Sequence, residues 1–334
     1  MANKNTNLHK AKRSKDDEFY TTYETIEKEL SYYVEQFRNK TVLCNCDNPY
    51  TSNFSKYFLY NFNVLGLRRL ICTSFSPANY ERLDLFCDFC FERKTGLVLD
   101  IERNSKFNSI DISNSFVFSD FVKGLKGNGD FRSGECIEYL KQCDIVVTNP
   151  PFSLFRDMVY EILKYDKKFL IIGNQNALTY KEIFPLIQNN IVWTGYQFGE
   201  MKFRVPSDSE PRATRYWVDD TGQKWRSLGN AMWLTNLDNK RRHENLRLTQ
   251  RFNPAIHPKY DNFNAIHVRN ITEIPFDYSG IMGVPITIIN RYNSEQFEIV
   301  GEANHGSDNK YDIFKPILNG KEIFKRILIR NKTI

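Results

Sequence analysis

Asp144-Ile145-Val146-Val147-Thr148-Asn149-Pro150-Pro151-Phe152 is the stretch on which the reading of this chain turns. Its first half is apolar and β-branched with no polar alternation, the pattern of a strand buried on both faces in the middle of a parallel sheet. Two consecutive prolines then stop it, because proline brings no N–H to a ladder. Residues 154–163 resume with helical spacing. Outward from this point the same alternation recurs. Strands are expected at Thr41-Val42-Leu43-Cys44-Asn45-Cys46, at Arg69-Leu70-Ile71-Cys72-Thr73, at Leu97-Val98-Leu99-Asp100-Ile101 with a local partner in Phe116-Val117-Phe118, and at Lys168-Phe169-Leu170-Ile171-Ile172-Gly173. Helices are expected over residues 20–37, 52–62 and 133–141. Strands alternating with helices predict an α/β fold with a mostly parallel central sheet covered on both faces. Ligands of such sheets sit at the carboxyl ends of the strands. Two polar motifs fall there: Asp47-Asn48-Pro49 after the first strand, and Asn149-Pro150-Pro151-Phe152 after the later one.

Beyond about residue 174 the texture changes. All four tryptophans lie there, at 193, 217, 225 and 233. Short strands are expected at residues 199–205, 231–234, 265–268 and 284–289, separated by polar turns. The chain therefore divides into a basic, flexible arm (1–15), an α/β domain (16–190), and a smaller, irregular C-terminal region (191–334) whose loops are suited to reach a partner.

Composition narrows the function classes. No run of about 18 apolar residues exists, so no transmembrane helix is expected. The N-terminus MANKNTNLHKAKRSK is basic but is not followed by an apolar stretch, which argues against a secretory signal and for a cytoplasmic protein. The seven cysteines read as reduced, packed thiols. Cys44-Asn45-Cys46 and Cys87-Asp88-Phe89-Cys90 have the spacing of paired metal ligands, but no histidine lies near either, and no metal is expected. The net charge is +6. It is gathered in three places: Lys4, Lys10, Lys12, Arg13 and Lys15; Lys240, Arg241, Arg242, Arg247 and Arg251; and Lys315, Lys321, Lys325, Arg326, Arg330 and Lys332. Such clusters suit phosphate contacts, with solvated surface charge as the plainer alternative for any one of them.

Asn149-Pro150-Pro151-Phe152 carries chemistry. By composition, an Asn-Pro-Pro-aromatic match arises by chance in about one chain in a few hundred of this length. A rigid turn between strand and helix is the structural alternative. An amino nitrogen conjugated to an aromatic ring is a poor nucleophile because its lone pair is delocalised. Two acceptors aimed at its N–H groups, the Asn149 side-chain oxygen and the Pro150 carbonyl, draw it toward sp3. Phe152 offers a face on which a base that has left the duplex can stack. Trp193 and Phe198 are weaker candidates for further walls of that pocket.

The chain resembles the EcoRI-type adenine-specific DNA methyltransferases over nearly its whole length. Besides the Asn-Pro-Pro-Phe tetrad, the resemblance rests on Leu8-His9-Lys10-Ala11-Lys12, Asp17-Glu18-Phe19-Tyr20-Thr21, Cys44-Asn45-Cys46-Asp47-Asn48-Pro49, Ser52-Asn53-Phe54, Gly129-Asp130-Phe131-Arg132-Ser133 and Met282-Gly283-Val284-Pro285-Ile286-Thr287. It implies a Rossmann-like class I methyltransferase fold, S-adenosyl-L-methionine as methyl donor, duplex DNA as substrate and base flipping. Residues 16–190 become the cofactor-binding catalytic domain, and 191–334 the remaining catalytic strands and target-recognition region. Residue by residue, it implies that Phe19, Tyr20 and Thr21 close over the methionine end of the cofactor. Cys46, Asp47, Asn48 and Pro49 form the loop beneath it. Asp130 accepts from the cofactor's adenine amino group, with Phe131 beside it. Asn149, Pro150, Pro151 and Phe152 are catalytic. Two departures from the wider methyltransferase pattern are visible. No glycine-rich loop follows the first strand, and Thr73-Ser74-Phe75 stands where an acid usually holds the ribose, leaving Ser74 or Asp47 for that work. Lys10, Lys12, Arg13, Lys15, Arg241 and Arg242 are the expected DNA contacts. Family membership further implies a monomer acting beside a companion restriction endonuclease in a bacterial cytoplasm, with GAATTC as the leading target. The rivals are N-methylation of RNA or of a protein glutamine, and a non-catalytic DNA-binding protein on the same fold.

Overall fold

The structure, a computed structural model, describes residues 19–76, 95–103, 120–304 and 315–334. In chain order the elements up to the double proline are β1 (Tyr20–Thr21), α1 (Tyr23–Leu30), α2 (Val34–Phe37), β2 (Thr41–Asn45), α3 (Asn53–Tyr60), β3 (Arg69–Ser74), β4 (Leu97–Glu102), β5 (Val122–Gly124), α4 (Gly134–Gln142) and β6 (Ile145–Thr148). A 3-10 turn (Phe152–Leu154) then leads into α5 (Phe155–Lys164), followed by β7 (Lys168–Asn174), α6 (Phe184–Gln188), β8 (Trp193–Arg204), β9 (Tyr216–Val218) and β10 (Lys224–Thr235).

Ten strands of the described residues form one sheet in the order β1-β8-β10-β7-β6-β2-β3-β4-β5, with β9 paired to β10. Its centre, β7-β6-β2-β3, is parallel. β2 and β6 are buried at every position, as their unbroken apolar runs require. β4 and β5 extend the sheet antiparallel, so the third expected strand joins its neighbour in the opposite sense from the parallel centre. Its expected partner, residues 116–118, lies outside the described residues. Cys44 and Cys72 are side by side on β2 and β3, both fully buried, and burial pushes the Cys44 thiol well up. Cys44 is thus a core thiol rather than half of a ligand pair with Cys46. Cys87 and Cys90 lie outside the described residues.

One expected element, the helix over residues 20–37, is split. Thr22 has extended backbone and caps α1 by accepting from Thr25 N at 3.2 Å. Tyr20 and Thr21 before it therefore stay extended and pair with Arg204 and Phe203 of β8. The expected short strand at residues 199–205 is instead the end of a twelve-residue strand within the large sheet.

The chain partitions into two compact units, one running to Gly173 and resuming over Gly199–Leu237, the other built from Asn174–Phe198 and Asp238–Ile334. The second holds a four-stranded sheet ordered β11 (Ile266–His267), β12 (Met282–Val284), β16 (Arg326–Asn331), β13 (Phe297–Ala303), and a small hairpin of β14 (Ile317–Leu318) and β15 (Lys321–Glu322). The run at residues 284–289, expected as a strand, ends its strand at Val284 and winds into a 3-10 turn over Ile286–Arg291, because Pro285 cannot donate to the ladder. Gly283 is required beside it: a Cβ there would lie 2.3 Å from the Tyr260 hydroxyl, which donates to the Gly283 carbonyl at 3.2 Å.

Candidate active site

The carboxyl ends of β6, β2 and β3 lie next to one another, and all the candidate catalytic and cofactor segments among the described residues gather there. Asn149 follows β6 directly. Its Nδ2 donates to the Phe19 carbonyl at 2.6 Å and to Thr21 Oγ1 at 3.1 Å. The amide is thereby oriented, and its Oδ1 is buried with no hydrogen-bond donor among the described residues. A buried acceptor without a partner costs about 1–3 kcal/mol, so a folded chain keeps few of them. Thr21 is itself held, its carbonyl accepting from Asn53 Nδ2 at 2.7 Å in the first turn of α3. Asn53, Thr21 and Asn149 thus form a line that pins β1 across the strand end.

The rings around Asn149 come from distant parts of the sequence. Phe152 stacks on Phe19 with centroids 5.3 Å apart and planes at 24°. Phe203 meets Phe19 edge-on at 5.5 Å, and the Arg226 guanidinium lies 5.1 Å from the same ring. Strand alternation delivers Phe203: Met201, Phe203 and Val205 are buried while Lys202 and Arg204 are exposed. Trp193, a candidate wall by sequence, instead packs under the Arg242 guanidinium at 3.4 Å.

The loop after β2 makes its turn without glycine. Cys46 adopts φ 76°, the left-handed conformation that a side chain rarely takes. Asp47 is buried. Its N–H donates to the Thr73 carbonyl at 2.8 Å, and its Oδ1 accepts from Ser52 Oγ at 2.7 Å. Its Oδ2 is 2.6 Å from Thr148 Oγ1, and that same hydroxyl bonds the Asn45 carbonyl. Two contacts between oxygens need two protons, and Thr148 has one. The Thr148 hydroxyl therefore serves one acceptor at a time unless Asp47 takes up a proton of its own. Burial pushes the acidity of Asp47 up to about 7, against the pull of the Thr148 and Ser52 hydroxyls. Asn48 closes the loop by accepting from Tyr50 N at 2.9 Å, and Pro49 is buried beneath it. The Cys46 thiol is driven far up by burial, with Asp47 and Asp130 adding to the rise, which places Asp130 near this loop.

Gly129-Asp130-Phe131 reaches the site through Ser74. A Cβ on Gly129, whose φ is 80°, would stand 2.1 Å from the Ser74 carbonyl, so only glycine fits. Ser74 is buried and its Oγ accepts from Leu97 N at 3.2 Å, which ties it into the β3–β4 ladder. The Asp130 carboxylate takes three bonds from Arg132, at 2.8, 2.9 and 3.0 Å, and that guanidinium holds its acidity below the usual carboxylate range. Phe131 is buried with Arg132 over its ring, and Tyr20 is largely exposed. Asn45 Oδ1 and Thr73 Oγ1, neighbours in register near the ends of β2 and β3, are buried and, among the described residues, unpartnered like Asn149 Oδ1.

Arg241 donates to the Tyr196 carbonyl at 2.6 Å and to Asn290 Oδ1 at 3.1 Å, and Arg242 to Asn190 Oδ1 at 2.8 Å. Both guanidinium groups are thus engaged within the second unit. Lys10, Lys12, Arg13 and Lys15 lie outside the described residues. Sequence reading assigned no role to Thr148, Ser52, Asn53, Phe203 or Arg226. Ser52 and Asn53 had a signal in the Ser52-Asn53-Phe54 motif. Phe203 and Arg226 had none, since only the pairing of distant strands brings them in.

Residues 7–332 match the family described as adenine-specific methyltransferase EcoRI. The chain is 46% identical over 347 aligned residues to the Type II methyltransferase M.EcoRI of Escherichia coli, covering 100% of this chain and 99% of that one. It is 36% identical over 299 residues to the Type II methyltransferase M.MgeORF184P of Mycoplasma genitalium, covering 88% and 85% of the two chains. It is 35% identical over 304 residues to the Type II methyltransferase M.MpnI of Mycoplasma pneumoniae, covering 88% and 84%. A looser likeness, at 11% identity and TM-score 0.31, links 66% of this chain to 93% of a precorrin-6y C5,15-methyltransferase from Geobacter metallireducens. With its strand order, its Asn-Pro-Pro-Phe strand end and a match spanning nearly every residue, the chain belongs to the EcoRI family of adenine-specific methyltransferases.

Proposed function

We propose that this protein transfers a methyl group from S-adenosyl-L-methionine to N6 of an adenine flipped out of duplex DNA, as the protecting half of a Type II restriction-modification system. The observation that carries the reading is the buried, unpartnered Oδ1 of Asn149 at the end of a central parallel strand. It is an acceptor whose orientation is already fixed and whose donor is missing, which is what an incoming amino group requires. The Pro150 carbonyl follows as the second acceptor. Together they localise the nitrogen lone pair, while Phe152 stacks on the base. No general base is assigned, because the nitrogen becomes acidic once it carries the new methyl group.

S-adenosyl-L-methionine, when bound, supplies the electrophilic methyl. The residues present fit it: the unpartnered Asn45 Oδ1 and Thr73 Oγ1 near the strand ends, the Cys46–Pro49 loop, Ser74, and the Asp130–Phe131 pair held beside that loop. Phe19, Tyr20 and Thr21 carry the methionine end by family resemblance. What these residues do is hold nucleophile and donor in line, which supplies most of the remaining rate enhancement. The region 191–334 reads the target, for which GAATTC is the leading sequence, and the basic arm at residues 1–15 follows the phosphate backbone. The protein acts as a monomer in the cytoplasm, with a companion endonuclease encoded nearby. No described helix is long and apolar enough to cross a membrane.

The test is transfer of labelled methyl from S-adenosyl-L-methionine to unmodified duplex DNA, followed by nucleoside digestion. N6-methyladenine is the expected product. Label found only in RNA or protein would overturn the DNA reading, and N4-methylcytosine would overturn the adenine assignment alone.

A further inference from the structure

We propose that Phe19 is the second jaw of the target-base pocket, closing on the face of the extruded adenine opposite Phe152. The inference rests on the base-flipping reading above and changes the role of a residue that resemblance places at the cofactor.

The Phe19 carbonyl accepts from Asn149 Nδ2, so its backbone is fixed to the very side chain whose Oδ1 awaits the amino group. Its ring lies on Phe152 at 5.3 Å and 24°, an offset stack. A base bonded to Asn149 must present one face to Phe152, three residues along, and the Phe19 ring occupies that contact in its place. Aromatic planes pack about 3.5 Å apart, so two jaws with a base between them stand about 7 Å apart. The observed pair is too close for that. The rings have collapsed on each other, and entry of the base must part their planes by about one ring thickness, about 3.5 Å.

The geometry around Phe19 allows this without dismantling the site. Phe19 precedes a two-residue strand at the sheet edge and is only half-buried. Its carbonyl and the Thr21 hydroxyl stay bound to Asn149 while the side chain turns. Phe203 and Arg226 touch the ring independently of Phe152, so the jaw keeps its supports as the pair opens. The closed stack also covers a face of the Phe152 ring when no DNA is bound.

The experiment uses the full chain and a duplex in which 2-aminopurine replaces the adenine that the enzyme methylates, that position having been mapped by sequencing a methylated plasmid. Cofactor affinity is measured separately by calorimetry without DNA. Extrusion raises 2-aminopurine emission, and stacking between two rings holds the rise down. Phe19→Ala is expected to brighten the complex, to lower kcat/KM for DNA about 10–100-fold, and to leave the cofactor Kd within about threefold, as loss of one stacking face predicts. Phe19→Tyr should restore both readouts, which separates lost stacking from lost folding. A cofactor Kd weakened by Phe19→Ala with 2-aminopurine emission unchanged would overturn the proposal in favour of the cofactor role. So would Phe19→Ala behaving as wild type throughout. Wild type and Phe19→Ala that both methylate DNA without any emission change would remove the base-flipping step on which the jaw depends. A wild type that methylates no DNA would instead remove the proposed function itself.

Discussion

The loops that follow β2 and β6 are neighbours in the sheet and opposites in chemistry. After β2, both carboxyl oxygens of Asp47 are bonded and the side chain is buried, with its acidity pushed up to about 7. After β6, Asn149 spends its amide nitrogen on Phe19 and Thr21 and leaves its oxygen unbonded. Both side chains are polar and both follow a buried strand. The difference between them separates a polar group that holds the fold from one whose acceptor the fold leaves open, as the proposed transfer requires. Thr148 stands at the junction, since its hydroxyl serves the β2 loop while its own chain runs directly into Asn149.

The largest expected effect tests the open end. Asn149→Ala should lower methyl transfer by at least about 10³-fold, equivalent to ~4 kcal/mol in the barrier, while calorimetry still finds cofactor binding. Stability should change little, because the orphaned oxygen leaves together with the two bonds made by Nδ2. A variant that keeps a tenth or more of the activity would end the contrast, since Asn149 would then be as structural as Asp47.

Glycine tests the frame next. Gly129→Ala places a methyl against the Ser74 carbonyl at a backbone angle that alanine resists. It should cost about 2–4 kcal/mol in urea unfolding and weaken cofactor binding along with it. Unchanged stability would mean that the Asp130–Phe131 loop is not anchored through Ser74.

How far was this site legible in the sequence? The strands around Asn149 were readable because an all-apolar run bounded by prolines has one sensible place in an α/β sheet. The Ser52-Asn53-Phe54 motif was legible as a signature but not as a mechanism. Only the fold shows that Ser52 bonds Asp47 and Asn53 bonds Thr21. Arg226 and Phe203 left no trace, since a single arginine or phenylalanine in a strand has no spacing to read. The helix expected from residue 20 begins only at Tyr23, because Thr22 caps it with extended backbone and apolar spacing carries no mark of a cap. The strand expected at residues 284–289 failed for a similar reason, a β-branched run outweighing the proline inside it.

The closed end is tested by removing its shared hydroxyl. Thr148→Val keeps the shape of the side chain and deletes both oxygen contacts. It should cost about 1–3 kcal/mol in urea unfolding, because the Asn45 carbonyl and the Asp47 carboxyl each lose a buried partner. Methyl transfer should fall far less than in Asn149→Ala. If activity collapsed while stability held, Thr148 would belong to the catalytic end instead.

The subtlest effect is the share of the pH dependence that Asp47 contributes, which Asp47→Asn isolates from that of Glu302, also pushed up to about 7 by burial. Its acidity in the folded chain is pushed up to about 7 by burial, against about 4 in the unfolded chain. The fold therefore prefers the protonated form. Its contribution is complete below pH about 4, declines as the unfolded carboxyl ionises and the folded one does not, and is gone above pH about 7, where both are ionised. Asp47→Asn has the shape of the protonated acid: its amide can donate to Thr148 while its oxygen accepts from Ser52. The variant should thus resemble wild type near pH 4 and gain on it by on the order of 1 kcal/mol per pH unit up to about pH 7. Urea unfolding of both proteins without cofactor, at unit steps from pH 4 to 8, reads this directly. Parallel curves would mean that Asp47 is ionised in the fold, and the contacts of Thr148 with Asn45 and Asp47 would then be one proton short.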